Sequence, residues 1–210
     1  IVSDPYIIEV AKQYTNLDIH LSTQQSVLNK ETANYFKKAG VSRIVLAREA
    51  TKEEIKEIID NVDIEIECFI HGAMCASISG RCVLSNFFTN RDANRGGCAQ
   101  ICRWDFDLLS KDNHKIKGDE SFTFCSKDLS LLRYINDLIE IGVTSFKIEG
   151  RMRSIYYIAT VVDTYRKAID RYYNDPKNYK YDIREEIILR NCANRDSVPQ
   201  FFNKINDESC

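Results

Sequence analysis

Hydrophobic and polar positions along this chain follow two different periods. Apolar residues three and four apart behind a capping residue predict helices, whereas apolar residues two apart, or short apolar runs, predict strands. The helical spacing covers six segments: 5–14, 29–38, the residues behind the Thr51–Glu54 capping box, 127–141, 154–174 and 182–190. The strand spacing covers four segments: 17–22, 42–47, 63–70 and 143–148.

The order of these elements predicts an α/β fold. Strands that alternate with helices of about ten residues form βαβ units and a parallel sheet. Four predicted strands are too few for a complete eightfold barrel, which takes about 250 residues. We therefore expect a partial TIM-barrel-like parallel β/α domain whose N-terminal strands are missing, in keeping with a first residue, Ile1, that is not Met. A doubly wound open sheet is the alternative, although no Gly-x-Gly-x-x-Gly follows a predicted strand.

The periodicity fails between His71 and Trp104, where Gly, Arg, Asn, Ser and Cys dominate. Long irregular segments of this kind are usually functional or disordered. Apolar residues inside the segment favour order: Leu84, Phe87, Phe88, Ile101 and Trp104. We expect one β/α domain over residues 1–175 with a Cys-rich insertion over 71–104, followed by the start of a weakly patterned C-terminal region over 176–210.

Overall charge and hydropathy exclude some classes of protein. Lys plus Arg number 29 and Asp plus Glu number 31, so the net charge of -2 does not by itself indicate a nucleic-acid partner. The longest apolar runs contain only a few residues, too few to span a bilayer. No secretory signal begins the chain. We therefore expect a cytoplasmic protein without a membrane partner.

Five of the eight cysteines lie between residues 68 and 102. In a cytosolic chain, clustered cysteines favour a metal or cluster site over disulfides. The spacing Cys75-x6-Cys82-x15-Cys98-x3-Cys102 lacks the paired knuckles of structural zinc sites and suits a [4Fe–4S] cluster better, with zinc as the alternative. Buried free thiols are the third interpretation, and Cys68 is expected to be one because it lies on the apolar face of its strand.

Polar residues follow each predicted strand, where parallel α/β folds collect their chemistry. The first three strands end near His20, Arg48 and His71, and the fourth ends at Glu149. Ordinary loop and capping residues would produce the same pattern. As a functional rim, it makes His20, His71 and Glu149 the candidate groups for proton transfer, since the pKa of histidine lies near neutrality.

Arginine is concentrated in the predicted insertion. Between residues 81 and 103, four arginines (Arg81, Arg91, Arg95 and Arg103) face a single acidic residue, Asp92. With Lys147, Arg151 and Arg153, they predict a basic mouth for a phosphate-bearing partner such as RNA, or a clamp for a small di-acid. Arginines that only hold loops together are the alternative. The candidate substrate-binding residues are Arg48, Arg81, Arg91, Arg95, Lys147 and Arg151.

Several blocks of the sequence match a known family closely. They are residues 20–24, 46–49, 71–75, 79–85, 91–100, 102–104, 126–129 and 145–152. Among them, His-Gly-Ala-Met-Cys, Ser-Gly-Arg-Cys-Val-Leu-Ser, Arg-Asp-Ala-Asn-Arg-Gly-Gly-Cys-Ala-Gln and Ser-Phe-Lys-Ile-Glu-Gly-Arg-Met are long and specific. The chain resembles the U32 collagenase-like peptidases in these blocks, which together cover roughly residues 1–175, whereas residues 194–202 match weakly.

The resemblance implies a chemistry that differs from the family name. Better-understood branches look like oxygen-independent hydroxylases that act on transfer RNA wobble uridine, on a ribosomal RNA cytidine or in ubiquinone synthesis. They are similar in holding a [4Fe–4S] cluster on four cysteines, and the RNA branches use prephenate as the hydroxyl source. The 91–96 and 146–152 blocks look most like the transfer RNA branch.

The resemblance also implies a ligand set. Cys75, Cys82 and Cys98 correspond to the first three cluster ligands. Where related sequences often have a fourth cysteine, this chain has Ser130. Cys125, just before the Ser-Lys-Asp-Leu block, is the favoured fourth ligand, with Cys102 as the alternative.

Three functions remain open from the sequence. The first is a prephenate-dependent hydroxylase of transfer RNA or another RNA, working with a possible partner subunit or as a homo-oligomer. The second is a peptidase, although no His-Glu-x-x-His or Gly-x-Ser-x-Gly motif is present and a Cys75–His71 pair is weak evidence. The third is a non-catalytic, zinc-stabilised RNA-binding module.

Overall fold

The computed structural model describes residues 1–14, 16–116, 121–151, 153–193 and 195–203 of the chain. Within these residues the fold is mixed α/β, with seven α-helices and a six-stranded sheet that is mostly parallel, as the sequence predicts at this level. The strands are β1 (His20–Leu21), β2 (Arg43–Val45), β3 (Glu65–Gly72), β4 (Asp128–Ser130), β5 (Ser145–Ile148) and β6 (Ser197–Val198). The helices are α1 (Pro5–Ala11), α2 (Lys30–Lys38), α3 (Lys52–Asn61), α4 (Leu84–Thr89), α5 (Ile135–Glu140), α6 (Ile155–Asn174) and α7 (Ile183–Cys192).

Local capping signals set the start of five helices. In each, the N-cap side chain accepts a hydrogen bond from a backbone N–H of the first turn, which satisfies a group that the helix leaves unpaired. The caps are Asp4, Asn29, Thr51, Ser154 and Asp182, and Thr51 forms a full capping box with Glu54. The predicted helix over 5–14 ends early, at Ala11, because Tyr14 finds no core to pack against and stays exposed.

The sheet is built around β3, its longest strand. The strands follow the order β1-β2-β3-β4-β6, and β5 pairs with β3 as well. All pairs are parallel except β3 with β4, where His71 faces Ser130 and Gly72 faces Leu129 in antiparallel register. The sequence predicts a parallel sheet of four strands. That prediction is wrong for β4, which is predicted as helix and runs antiparallel to β3, and it does not include β6. Completion into a barrel stays a prediction.

The predicted helix over 127–141 is wrong in its first half. Asp128–Ser130 forms β4, a short 3-10 turn follows, and α5 begins only at Ile135. Ser126, the predicted cap, instead donates its hydroxyl to the carbonyl of Met74, 3.2 Å away. Sheet pairing overrides the helical spacing because Leu129 and Leu131 are buried and the Leu131 N–H donates to the Ile70 carbonyl.

Strand β3 is buried on both faces, not on one. The sequence predicts Ile66, Cys68 and Ile70 on the apolar face, and these residues are buried as expected. Glu67 and Phe69, on the face predicted to be polar, are buried as well. Strands β2 and β5 flank β3, so basic side chains from both can cover that face.

Several of the described residues beyond 175 pack on the same core as the rest of the chain. Leu189 of α7 and Phe202 are buried in it, and β6 pairs with β4. The division between 1–175 and 176–210 stays a prediction. None of the helices in the described ranges is long and apolar enough to cross a bilayer.

Candidate functional site

Three of the predicted site residues meet around Phe69 near the carboxyl ends of β3 and β5. The guanidinium of Arg48 lies 3.7 Å above the Phe69 ring, and a terminal nitrogen of Arg48 is 3.6 Å from a Glu149 carboxylate oxygen. Lys147 Nζ is 5.3 Å from the same ring and 3.0 Å from Glu67. Both cations thus lie against one aromatic ring, whose electron-rich face attracts a positive charge.

Glu67 is the buried counter-charge of this group. Burial alone raises the pKa of its carboxyl, but the hydrogen bond and charge of Lys147 outweigh burial, with help from Ser145 and Arg43, and leave the pKa below its ordinary value. Ser145 Oγ donates to Glu67 over 3.2 Å and an Arg43 nitrogen lies 3.5 Å away. Glu67 therefore stays ionised and holds Lys147 in place.

Close backbone contact fixes the position of Glu149. Its N–H donates to the His71 carbonyl over 2.9 Å, and one carboxylate oxygen accepts from the Arg151 N–H at the same distance. Gly72 has φ of +115°, and a Cβ there would lie 2.5 Å from the Glu149 carbonyl oxygen. Only glycine allows β3 and β5 to approach this closely.

The loop after β3 is tied to the end of β2 by Glu49. Its two carboxylate oxygens accept hydrogen bonds from the N–H and the hydroxyl of Ser79, each 3.0 Å long. At Gly80, a Cβ would lie 2.1 Å from the Gln24 carbonyl oxygen. The first part of the segment predicted as an insertion therefore lies against the β1 and β2 ends of the sheet.

The two candidate histidines lie apart from each other. His20 pairs with Arg43 at the level where the parallel strands begin, so the sheet does not bring it to Glu149. His71 is buried, with Nδ1 3.4 Å from the Tyr165 hydroxyl. Burial lowers the pKa of His71 to about 4, with Arg153 lowering it further and Asp128 opposing. Its imidazole is neutral at pH 7.

A second basic cluster, which the sequence did not reveal as a unit, surrounds Asp128. We call Asp128 with Arg103, Arg153 and Arg195 the Asp128 hub. Arg153 contacts the carboxylate at 2.6 Å, Arg195 forms bonds of 3.0 to 3.2 Å to both of its oxygens, and Arg103 lies 3.7 Å away. The hub joins β4, the 3-10 turn at residues 101–103, the loop before α6 and the segment before β6.

The cysteines of the loop share one electrostatic neighbourhood. Burial raises the pKa of Cys75, and the charges of Cys82 and Cys98 add to the rise while Arg48 opposes it. Burial likewise raises the pKa of Cys102, with Cys75, Cys98 and Cys125 adding to it. We call these five cysteines the loop thiols: Cys75, Cys82, Cys98, Cys102 and Cys125.

The chemistry of the loop thiols suits iron, since soft thiolates are the ligands of iron–sulfur clusters. Within the ranges that the structure describes, no three His, Cys, Asp or Glu side chains are arranged as they would be around a single metal ion. Cys75, Cys98 and Cys125 all contribute to the raised pKa of Cys102, and the choice of Cys125 or Cys102 as fourth ligand stays a prediction. Cys68 is separate and buried, and burial raises the pKa of its thiol to about 12, which confirms it as an apolar core residue.

The remaining predicted arginines are exposed. Arg81, Arg91 and Arg95, which we call the arginine trio, form no ion pair or side-chain hydrogen bond with any residue that the structure describes. Arg151 is exposed and lies 3.5 Å from Glu149. Met152 and Asn194, within the two matching blocks, lie outside the described residues. Asp128 and Phe69 were missed, and the only signal for Asp128 was its place in the Ser-Lys-Asp-Leu block.

Comparison with known proteins places these residues in a family context. The model of peptidase family U32 matches residues 1–209. The tRNA hydroxylation protein P1 of Bacillus subtilis is 51% identical to this chain over 210 residues, covering 96% of this chain and 49% of its own length. The 23S rRNA 5-hydroxycytidine C2501 synthase of Escherichia coli is 37% identical, covering 81% of this chain and 26% of its own length.

Other similar proteins carry the peptidase name. The collagenase of Porphyromonas gingivalis is 35% identical, covering 78% of this chain and 43% of its own length. The solved U32 peptidase Mk0906 is 17% identical with a TM-score of 0.42, covering 73% of this chain and 55% of that one. The chain spans about half the length, or less, of the curated relatives that it matches. From the family match and the Bacillus relative together, the chain belongs to peptidase family U32.

Proposed function

We propose that this protein is an RNA-modifying enzyme that hydroxylates the wobble uridine of transfer RNA without oxygen, using a [4Fe–4S] cluster and prephenate. The observation that carries the proposal is the electrostatic link from Cys75, one of the loop thiols, to Arg48, which pairs with Glu149. The likeness to tRNA and rRNA hydroxylation proteins supports an RNA substrate. We further propose that the chain is part of a TIM-barrel-like domain.

The residues around Phe69 suit the binding of a small di-acid. Arg48 and Lys147 place two cations beside one aromatic ring, and each is of a kind that binds a carboxylate, as their pairs with Glu149 and Glu67 show. Glu149, fixed by Arg48 and the Arg151 N–H, is the candidate group for holding a proton next to the bound acid. His71 is neutral and buried, so it serves as a hydrogen-bond partner of Tyr165 and not as an acid at pH 7.

The loop thiols would hold the cluster. Cys75, Cys82 and Cys98 would supply three ligands, and Cys125 or Cys102 the fourth. Bound there, a cluster would supply one-electron redox chemistry. Arg48, whose charge opposes the rise that burial causes in the pKa of Cys75, would favour the thiolate that iron requires.

Metal and sulfide content after anaerobic purification tests the proposal. We expect about four iron and four sulfide per chain, lost in Cys75→Ala, Cys82→Ala and Cys98→Ala. Whichever of Cys125→Ala and Cys102→Ala also loses iron identifies the fourth ligand. Cys192→Ala is the matched control, because Cys192 lies on α7, where its thiol donates to the Leu189 carbonyl. Zinc alone, or no metal, would contradict the proposal.

A peptidase is the second candidate function, favoured by the name of the Porphyromonas relative. It makes the opposite prediction for the loop. Cys75→Ala would abolish cleavage of a denatured collagen substrate while metal content stayed unchanged. A zinc-stabilised RNA-binding module would instead show one zinc, no iron and no catalysis.

A further inference from the structure

A row of phenylalanine rings crosses the segment that carries the loop thiols. Phe87 contacts Phe88 at a centroid distance of 5.1 Å, and Phe88 contacts Phe106 at 5.7 Å. Phe106 contacts Phe124 at 5.7 Å, and Phe124 contacts Phe122 at 4.8 Å. These five rings, the phenylalanine row, join α4 to the paired residues 106 and 122.

Three rings of the row are exposed and are not part of a protein core. Phe87 is 79% exposed, Phe88 50% and Phe124 44%. Helix α4 is held by other groups, since the Ser85 hydroxyl accepts from the Ala99 N–H at 3.0 Å and Thr89 Oγ1 donates to the Ser85 carbonyl at 2.6 Å. A contiguous exposed apolar surface of this kind marks an interaction site in a folded protein.

The charge beside α4, at one end of the row, is positive and unpaired, whereas Asp105 and Asp107 flank Phe106 in the middle of the row. Arg81 and Arg91 flank α4 in the chain, and Arg95 lies on the loop that Ser85 ties to α4 through Gly97 and Ala99. The one acidic residue of this stretch, Asp92, accepts a hydrogen bond from the Asn94 N–H. The arginine trio therefore has no counter-charge among the residues that the structure describes.

We propose that the phenylalanine row stacks on unpaired bases of an RNA loop while the arginine trio holds its phosphates. Aromatic side chains beside basic ones are the means by which proteins bind single-stranded RNA, because every base has a flat face. An RNA loop supplies both partners at once, since its bases can stack on the rings and its phosphates can pair with the three cations. The inference rests on the proposed function and deepens it by naming where the RNA lies.

Binding of short RNAs to the full 210-residue chain tests the inference. Fluorescence anisotropy would compare a labelled single strand of mixed sequence with a duplex of the same length. We expect Phe87→Ala to raise Kd for the single strand by about fivefold or more, with an unchanged salt dependence and little effect on the duplex. Arg91→Gln should instead lower the slope of log K against log salt by about 0.7.

Tyr6→Ala is the matched control, since Tyr6 is 72% exposed on α1 and makes no ring contact with the row. Equal Kd values for Phe87→Ala and Tyr6→Ala, with Arg91→Gln still weaker, would overturn the stacking inference and leave the proposed function standing. A wild-type chain that binds neither RNA at about 50 mM salt would contradict both. A dimer that Phe87→Ala converts to a monomer without a change in RNA affinity would show that a second copy covers the row.

Discussion

Two sets of three arginines in this chain have opposite surroundings. In the Asp128 hub, Arg103, Arg153 and Arg195 converge on one buried carboxylate. The arginine trio is exposed and has no partner among the described residues. Composition does not separate the two sets, because Arg95 and Arg103 lie eight positions apart in the same basic stretch. The tertiary fold alone decides which arginine is structural and which is free to meet a ligand.

The two sets of arginines are also expected to contribute differently to the free energy of unfolding. A buried ion pair contributes little net stability over an apolar pair, but removing one partner leaves uncompensated charge and is costly. An exposed arginine without a partner contributes almost nothing to folding. Variants in the hub should therefore change the free energy of unfolding, and variants in the trio should change binding.

The largest effect is expected from Asp128→Ala. Three guanidinium groups would lose their shared acceptor while remaining largely buried, which should lower the free energy of unfolding by roughly 3–5 kcal/mol. Denaturation by urea, followed by circular dichroism, measures this change. A loss smaller than about 1 kcal/mol would mean that the hub behaves like a surface ion pair, and the contrast between the two sets would fail.

His71, next to the hub, should make stability depend on pH. Its pKa falls from 6.5 to about 4 on folding, so the unfolded chain binds the proton first as the pH drops. This difference in pKa does not affect stability above pH 6.5. At a pH equal to the folded-state pKa of about 4, it lowers the free energy of unfolding by about 3 kcal/mol. As the pH falls through this range, the free energy of unfolding of wild type should therefore decrease by that amount relative to that of His71→Gln. A constant gap across this window would contradict a buried neutral His71.

Arg195→Gln should have an intermediate effect. The substitution removes a guanidinium that bonds to both oxygens of Asp128 but leaves Arg153 and Arg103 to pair with it. Loss of charge-assisted bonds should lower the free energy of unfolding by about 2 kcal/mol. Urea midpoints of the variant and of wild type measure the difference. An effect equal to that of Asp128→Ala would indicate that Arg195 alone holds the hub together.

Arg95→Gln is the matched exposed variant and should change the free energy of unfolding by less than about 0.5 kcal/mol. Because Arg195→Gln and Arg95→Gln are the same substitution, a difference between their effects reflects the surroundings of each arginine and not the residue type. Equal destabilisation by Arg195→Gln and Arg95→Gln would remove the distinction between hub and trio. Thermal melts of both variants under one buffer condition are sufficient to compare them.

Local signals in the sequence predict where helices start. Sequence-based prediction fails where the structure depends on pairing between strands that are far apart in the chain. Thr51 and Ser154 cap the helices that the spacing places behind them, because a cap depends on residues three positions away. Strand β4 depends on His71 and Gly72 on one side and on Ser197 and Val198 on the other. No window of the sequence contains those partners, so Asp128 was assigned to a helix.

The candidate site shows the same division. Cys75, Cys82 and Cys98 could be grouped from their clustering and from the resemblance, and the charges of Cys82 and Cys98 raise the pKa of Cys75. Their role as cluster ligands stays a prediction. The sequence predicts His20 on the same rim because it lies near the end of the strand predicted over 17–22. The observed strand begins at His20, which moves it to the opposite end of the parallel register from Glu149.

The link between Arg195 and Asp128 has a consequence for the order in which the chain matures during synthesis. During synthesis, Asp128 emerges from the ribosome long before Arg195 and β6. In that interval the edge of β4 that pairs with β6 is open, and the Asp128 carboxylate lacks the Arg195 guanidinium. Burial of a carboxylate with incomplete pairing is unfavourable, and domains of this size fold as units. We therefore expect the nascent chain to keep β4 accessible to chaperones until the last described strand has emerged.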